Sequence, residues 1–328
     1  MKFSAMMLVS AGLLMAAQTE AVEVQNTNDS GPGSLRQAVL DAPAGDTITF
    51  APELSGQAIK LTSGSIVIDK NLTFVGPGAS KLKIQRDSEL SFRLFFVVNS
   101  SQISFSGLTF ANGSETLGGS AVRTTAGSRL EVRGCVFSDN FNWYAGAILS
   151  NGELLVDGCS FVNNRVRNEG GAIFAVGGVV RNSTFYANEG RSGAAIFSTG
   201  SMAVDHCTFV GHDTNPNDPT ILNRGALQIS NSIFANSVAP GIRNSDFSTF
   251  TPTGVNFCTT EPVQGFITVP LTGEGGLNLA ALALNRGETP TFALLENSVA
   301  IDAAVNSTIG VDQIGTRRPF GAANDAGA

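Results

Sequence analysis

The chain has little charge, little histidine and almost no tryptophan. Of its 328 residues 14% are Asp, Glu, Lys or Arg, and it holds two histidines, one tryptophan and four cysteines. Neither histidine comes with the Cys, His or carboxylate spacing of a metal centre, so no metal site and no cofactor is expected. The net charge is −7 and there is no Lys/Arg run, which argues against nucleic acid and against an anionic membrane surface as partner. Beyond residue 21 no apolar run is long enough to cross a bilayer as a helix. Low charge together with 37 glycines suits a β-rich extracellular scaffold better than a helical cytosolic enzyme.

What is present begins with a leader. Lys2 precedes an apolar run over residues 5–17, and Thr19-Glu20-Ala21 puts small residues at the two recognition positions of a cleavage site. Residues 1–21 read as a secretory signal peptide, with Val22 as the new N-terminus. A retained anchor is the alternative, although the run is shorter than the ~20 residues that span a bilayer. Export to the cell surface or the medium is the expectation.

A phrase then recurs: "RGCVFSDN", "DGCSFVNN", "RNSTFYAN", "DHCTFVGH". Its phenylalanines, Phe137, Phe161, Phe185 and Phe209, step by 24 residues, and Phe234 follows after 25. A fixed period of this size marks a solenoid. Within each repeat apolar and polar residues alternate on both sides of one break, which means short strands with one face buried. The break holds Gly134, Gly158, Asn182, His206 and Asn231, residue types that tolerate the left-handed backbone region. A third short strand comes from "AGAIL", "GGAIF" and "GAAIF". Three strands and three bends in about 24 residues describe one coil of a parallel β-helix, right-handed as parallel crossovers nearly always are.

Columns follow from stacking. Cys135, Cys159, Ser183, Cys207 and Ser232 share an inward position beside the phenylalanines. Cys135 and Cys159 lie close enough to be bonded, with buried free thiols as the default. Arg133, Asp157, Arg181 and Asp205 alternate in sign along an outward column and read as a structural ladder that controls register, unless the alternation is chance. His212 falls in the column of Asn140, Asn164 and Asn188, and His206 in the bend column; each takes the place of an asparagine. Upstream, Leu72 and Leu108 are read at the cysteine position and Phe74 and Phe110 at the phenylalanine position. Before them "GPGSLRQAVLDA" spaces Leu35, Ala38 and Val39 helically behind Ser34, a cap for the open end of the solenoid. The period disappears after Phe250, so residues 22–250 form the capped β-helix and residues 251–328 a non-repeating C-terminal module.

These phrases carry a resemblance. "NTNDSGPGSLRQAV", "GDTITF", "IDKNLTFVGPG" and the paired "GGAI" and "FxxN" words resemble secreted bacterial β-helix proteins related to the polymorphic outer-membrane protein repeats. The tail, with "GETPTFALLENSVAID", "DQIGTRRP" and "NDAGA", is similar to the choice-of-anchor module that follows such helices, with Ile314 where that motif has arginine and Ala326 where it has an aliphatic residue. The resemblance implies a surface or secreted bacterial protein and names no reaction.

The same architecture supports polysaccharide lyases and glycoside hydrolases, so the fold leaves the chemistry open. Acids do not accumulate in the column Asp139, Asn163, Ala187, Gly211, and no catalytic residue is identified. The loops after the "FxxN" phrase place Trp143, Tyr144, Arg165, Arg167, Glu189 and Arg191 on one flank. Rings beside guanidinium groups suit an extracellular polysaccharide or cell-surface glycan. The alternative is that Trp143 and Tyr144 cover the core edge. The expected class is an all-β right-handed parallel β-helix, a monomer, non-catalytic, acting in adhesion or polysaccharide binding. The alternatives are a polysaccharide lyase or hydrolase of pectate-lyase-like fold, with calcium entering only under the lyase reading, and a structural envelope component.

Overall fold

The computed structural model describes residues 21–212, 217–237, 241–260 and 262–328. Of the leader expected over residues 1–21, only Ala21 lies within them. Among the described residues the strands stack in parallel into two ten-stranded sheets, one eight-stranded sheet and a three-stranded strip. One coil contributes Ile148–Ser150 to the eight-stranded sheet III, Glu153–Asp157 to sheet I, Ser160–Val162 to sheet II and Arg165–Val166 to the strip. The next coil lays the same residues one step along the axis: Phe161 pairs with Phe185, and Ile148 with Ile173.

The alternation in sequence becomes an inside and an outside. In Arg129–Arg133 and Glu153–Asp157, Leu130, Val132, Leu154 and Val156 are buried while their neighbours face out. All five break residues adopt positive φ: Gly134 56°, Gly158 66°, Asn182 47°, His206 49°, Asn231 49°. A single left-handed residue therefore turns the chain from sheet I to sheet II at the same place on each coil. Phe110, Phe137, Phe161, Phe185, Phe209 and Phe234 then form one stack, with centroids 4.5–5.0 Å apart and planes within 24°. The strand spacing sets that distance, and each stacked pair adds about 0.5–1.5 kcal/mol beyond its burial. The four cysteines are free and buried, and Cys135 N–H points to Cys159 Sγ at 3.5 Å.

Both ends differ from the middle. Helix α1 (Leu35–Asp41) starts at Ser34, whose side chain accepts from Gln37 N–H, and buries Leu35, Ala38 and Val39 against the first coil. Phe74 departs from the expected phase. It pairs with Phe105 in sheet I, whereas Phe110 lies in sheet II over Ile84, and Leu72 pairs with Ile103 rather than taking the cysteine position. Residue 250 falls inside strand Thr249–Thr253, which pairs with Ala226–Ser230, and Phe257–Cys258 and Ile267–Thr268 extend sheet II further.

The tail then runs back over the outer face of sheet II. Gln313 reaches Cys159 O, Ser160 Oγ and Thr289 Oγ1 with Nε2 at 3.2, 2.8 and 3.0 Å, and its Oε1 accepts from Thr184 Oγ1 at 2.7 Å. A second apolar cluster, with Val210, Ile233, Leu277, Ala300 and Ala326, fills the seam.

Candidate functional site

The flank between sheets II and III is built by a second left-handed bend. Asp139, Asn163, Ala187 and Gly211 have φ of 56°, 54°, 49° and 63°. Each is followed by a buried residue of the asparagine column. Asn140 Nδ2 donates to Asn164 Oδ1, and Asn164 Nδ2 to Asn188 Oδ1, both at 2.9 Å. The same amides donate back to Phe110 O and Phe137 O, and Asn188 Nδ2 to Phe161 O. His212 ends the series: Asn188 N–H donates to its Nδ1 at 3.3 Å, so Nε2 carries the proton. Burial pushes the His212 imidazole down to about 4. The asparagine part of this buried ladder is satisfied and holds the start of each loop in fixed register, while His212 Nε2 at its end has no hydrogen-bond partner among the described residues.

The loops beyond it are themselves paired. Ser114–Glu115, Phe141–Asn142 and Arg165–Val166 form the three-stranded strip, and single bridges continue it from Arg165 to Glu189 and from Glu169 to Ser192. Side chains on this flank therefore project from a ladder rather than from loose loops.

All six residues expected here line one cleft of about 730 Å³: Trp143, Tyr144, Arg165, Arg167, Glu189 and Arg191. The Arg167 guanidinium lies 4.1 Å over the Trp143 ring. Trp143 is 43% exposed and Tyr144 59%, so both rings reach the surface of the cleft. Arg165 Nε pairs with Glu189 Oε2 at 2.5 Å. Among the described residues Arg167 and Arg191 have no ion-pair partner, which leaves two cationic groups facing the cleft. Phe141 and Asp218 also line it. Both sit in the loop phrases "FNWY" and "HDTNPNDP", but Phe141 follows the repeated motif directly and Asp218 lies seven residues past the bend at Gly211, so spacing alone does not mark them.

A cleft with an aromatic face, a stacked guanidinium and a second arginine can bind a planar or hydroxyl-rich face and an acidic group at once. Glycoside hydrolysis needs two carboxylates astride the bond, and of the two acids that line the cleft Glu189 is held by Arg165. Among the described residues no three Cys, His, Asp or Glu side chains gather as metal ligands.

The outward column lies elsewhere, on sheet I. Asp157 Oδ2 accepts from Arg133 Nη1 at 2.7 Å and from Arg181 Nη2 at 2.9 Å. The fourth member does not join. Asp205 Oδ1 faces His206 Nδ1 and accepts from Ser230 Oγ, each at 2.7 Å. Burial would raise its carboxyl, but hydrogen bonds with His206, Ser230 and Asn231 hold it below its usual range. The His206 imidazole is lowered, by burial first and against the pull of Asp205. The turn residue of that coil, a histidine, captures the carboxylate that the spacing assigned to Arg181.

Stacked parallel coils carrying a loop-built cleft on one flank define a β-helix protein. Residues 52–257, more than half of the chain, match the family model of the right-handed β-helix region, and the chain belongs to that family. The coil is accordingly right-handed. No curated protein matches the chain. Among the described residues no helix is long and apolar enough to cross a membrane.

Proposed function

We propose that this is a secreted or cell-surface protein of bacterial origin, exported by a leader over residues 1–21, that binds an extracellular polysaccharide or cell-surface glycan in the flank cleft without cleaving it. One observation carries the reading: Arg167 stacked over an exposed Trp143, with Arg191 beside them, on a paired and rigid strip. Loops held by a rigid scaffold are where binding groups concentrate. The kinship with outer-membrane protein repeats and a choice-of-anchor tail belongs to the same proposal and rests on the phrases quoted above.

The test is a glycan array on the purified chain, followed by Trp143→Ala. Affinity for the bound glycan drops roughly tenfold or more, as for a central aromatic contact, while the melting temperature stays nearly constant. Incubation with polysaccharides, with and without calcium, releases no unsaturated or reducing ends. Calcium-dependent cleavage would place the protein among the lyases. A large stability loss with unchanged binding would return Trp143 to the core, and a blank array would leave an envelope component.

A further inference from the structure

We propose that the Trp143 cleft is one half of a longer trough along the helix axis, and that the trough selects glycan chains bearing both amino and acidic groups. The inference rests on the glycan-binding reading above and adds the class of chain and its direction.

A second cleft, of about 530 Å³, opens on the same flank, and Phe141 lines both. Pairing of Phe92 with Ser114, Ser114 with Phe141, Phe141 with Arg165 and Arg165 with Glu189 puts these loops on consecutive coils. From the loop of Glu89 to that of Arg191 is four coil steps, roughly 19 Å at the ~4.8 Å spacing of paired strands. A short oligosaccharide laid along the axis spans both clefts.

The two halves differ in available charge. In the second cleft the Arg86 guanidinium donates to the carbonyls of Asn112, Ser88 and Leu90, which fix it in place without cancelling its charge, and Asp87 pairs with Lys60 at 3.0 Å. Glu89 and Asp139 have no ion-pair partner among the described residues. In the Trp143 half Arg165 and Glu189 neutralise one another, and Arg167 and Arg191 are the remaining cations, against Asp218 as the one further acid of the lining. Acids thus outnumber guanidinium groups in the lining at one end of the trough, and guanidinium groups outnumber acids at the other. A purely anionic chain lays like charge over Glu89 and Asp139; a purely cationic one lays it over Arg167 and Arg191. A chain with both groups meets opposite charge at each end, which is discrimination by attraction and repulsion together.

The experiment compares one backbone in two states: an oligosaccharide of alternating glucuronate and glucosamine with its amino groups free, and the same chain N-acetylated. By titration calorimetry the free-amino chain binds about tenfold tighter, a difference near 1.4 kcal/mol. The double variant Glu89→Gln with Asp139→Asn brings the two chains to nearly equal affinity. Asparagine tolerates the positive φ at 139, and residue 89 is on the surface, so the fold is kept. Equal or tighter binding of the acetylated chain overturns the proposal, as does a preference that survives the double variant or a failure of both chains to bind. Affinity that falls in Trp143→Ala without any preference removes this inference alone and leaves glycan binding in place.

Discussion

At the scale of single residues, the asparagine ladder has one member that titrates. Unfolded, His212 takes up a proton near its ordinary value of 6.5; folded, burial holds it to about 4. As pH falls below 6.5 the unfolded chain binds the proton first, so stability that is complete above 6.5 is lost progressively down to about pH 4. The loss is on the order of 3 kcal/mol. His206, also lowered, adds to it with the same sign. His212→Asn extends the ladder with the residue found at 140, 164 and 188 and removes one titrating group. Thermal melts from pH 7 to 4 therefore fall less steeply for His212→Asn than for the parent chain. Parallel curves would show that the imidazole is hydrated or already protonated in the fold.

At the scale of elements, Gln313 is the most heavily hydrogen-bonded contact of the tail with sheet II. Its amide serves Cys159 O, Ser160 Oγ, Thr184 Oγ1 and Thr289 Oγ1 at once in a buried seam. Gln313→Ala leaves Thr184 Oγ1 without a partner, at about 1–3 kcal/mol for a buried group that water cannot reach, whereas Ser160 Oγ keeps Pro290 O, Thr289 Oγ1 keeps Gly158 O and Cys159 O keeps Thr184 N–H. Denaturant unfolding of Gln313→Ala is expected to show a loss of about 1–3 kcal/mol; a loss within the scatter of a surface substitution would mean that water replaces the amide. The same element shows where reading by sequence stops. The middle coils were legible because the left-handed break recurs at a 24-residue step, or 25 at the last, and admits few residue types. The first coils were not: "NLTFVGPG" and "GLTFANG" look alike, yet Phe74 enters sheet I and Phe110 sheet II, because a three-residue phrase does not say which side of the bend it lies on. The flank residues Trp143, Arg165, Arg167 and Arg191 could be grouped because stacking puts equivalent loop positions together. Asp205 is assigned to the ladder by spacing and lies outside it in the structure, since it bonds His206, its neighbour in sequence, and Ser230 rather than the guanidinium one coil away. Docking of the tail on Ser160 and Thr184 left no periodic trace.

At the scale of the whole molecule, a solenoid whose coils touch only their neighbours would melt piecemeal, and the tail works against that. Glu288 pairs with Lys81 at 3.0 Å, Thr289 bonds Gly158 O, Gln313 joins Ser160 and Thr184, Ala328 N–H donates to Thr208 Oγ1, and Val305 N–H to Asn231 Oδ1. Coils far apart along the axis thus share one covering segment, and losing any of them uncovers apolar surface in the seam. Phe161→Ala tests the consequence. Removing one ring from the middle of the stack costs about 3–5 kcal/mol through lost burial and the cavity left behind. With the tail bridging the coils on either side, the cost appears as a downward shift of a single calorimetric transition. Without such coupling the coils before and after residue 161 would unfold separately, and the trace would split into two peaks. A split in Phe161→Ala would mean that the tail lies on the solenoid without tying its coils together. A single peak that splits only when Gln313→Ala is added would locate the coupling in the seam itself.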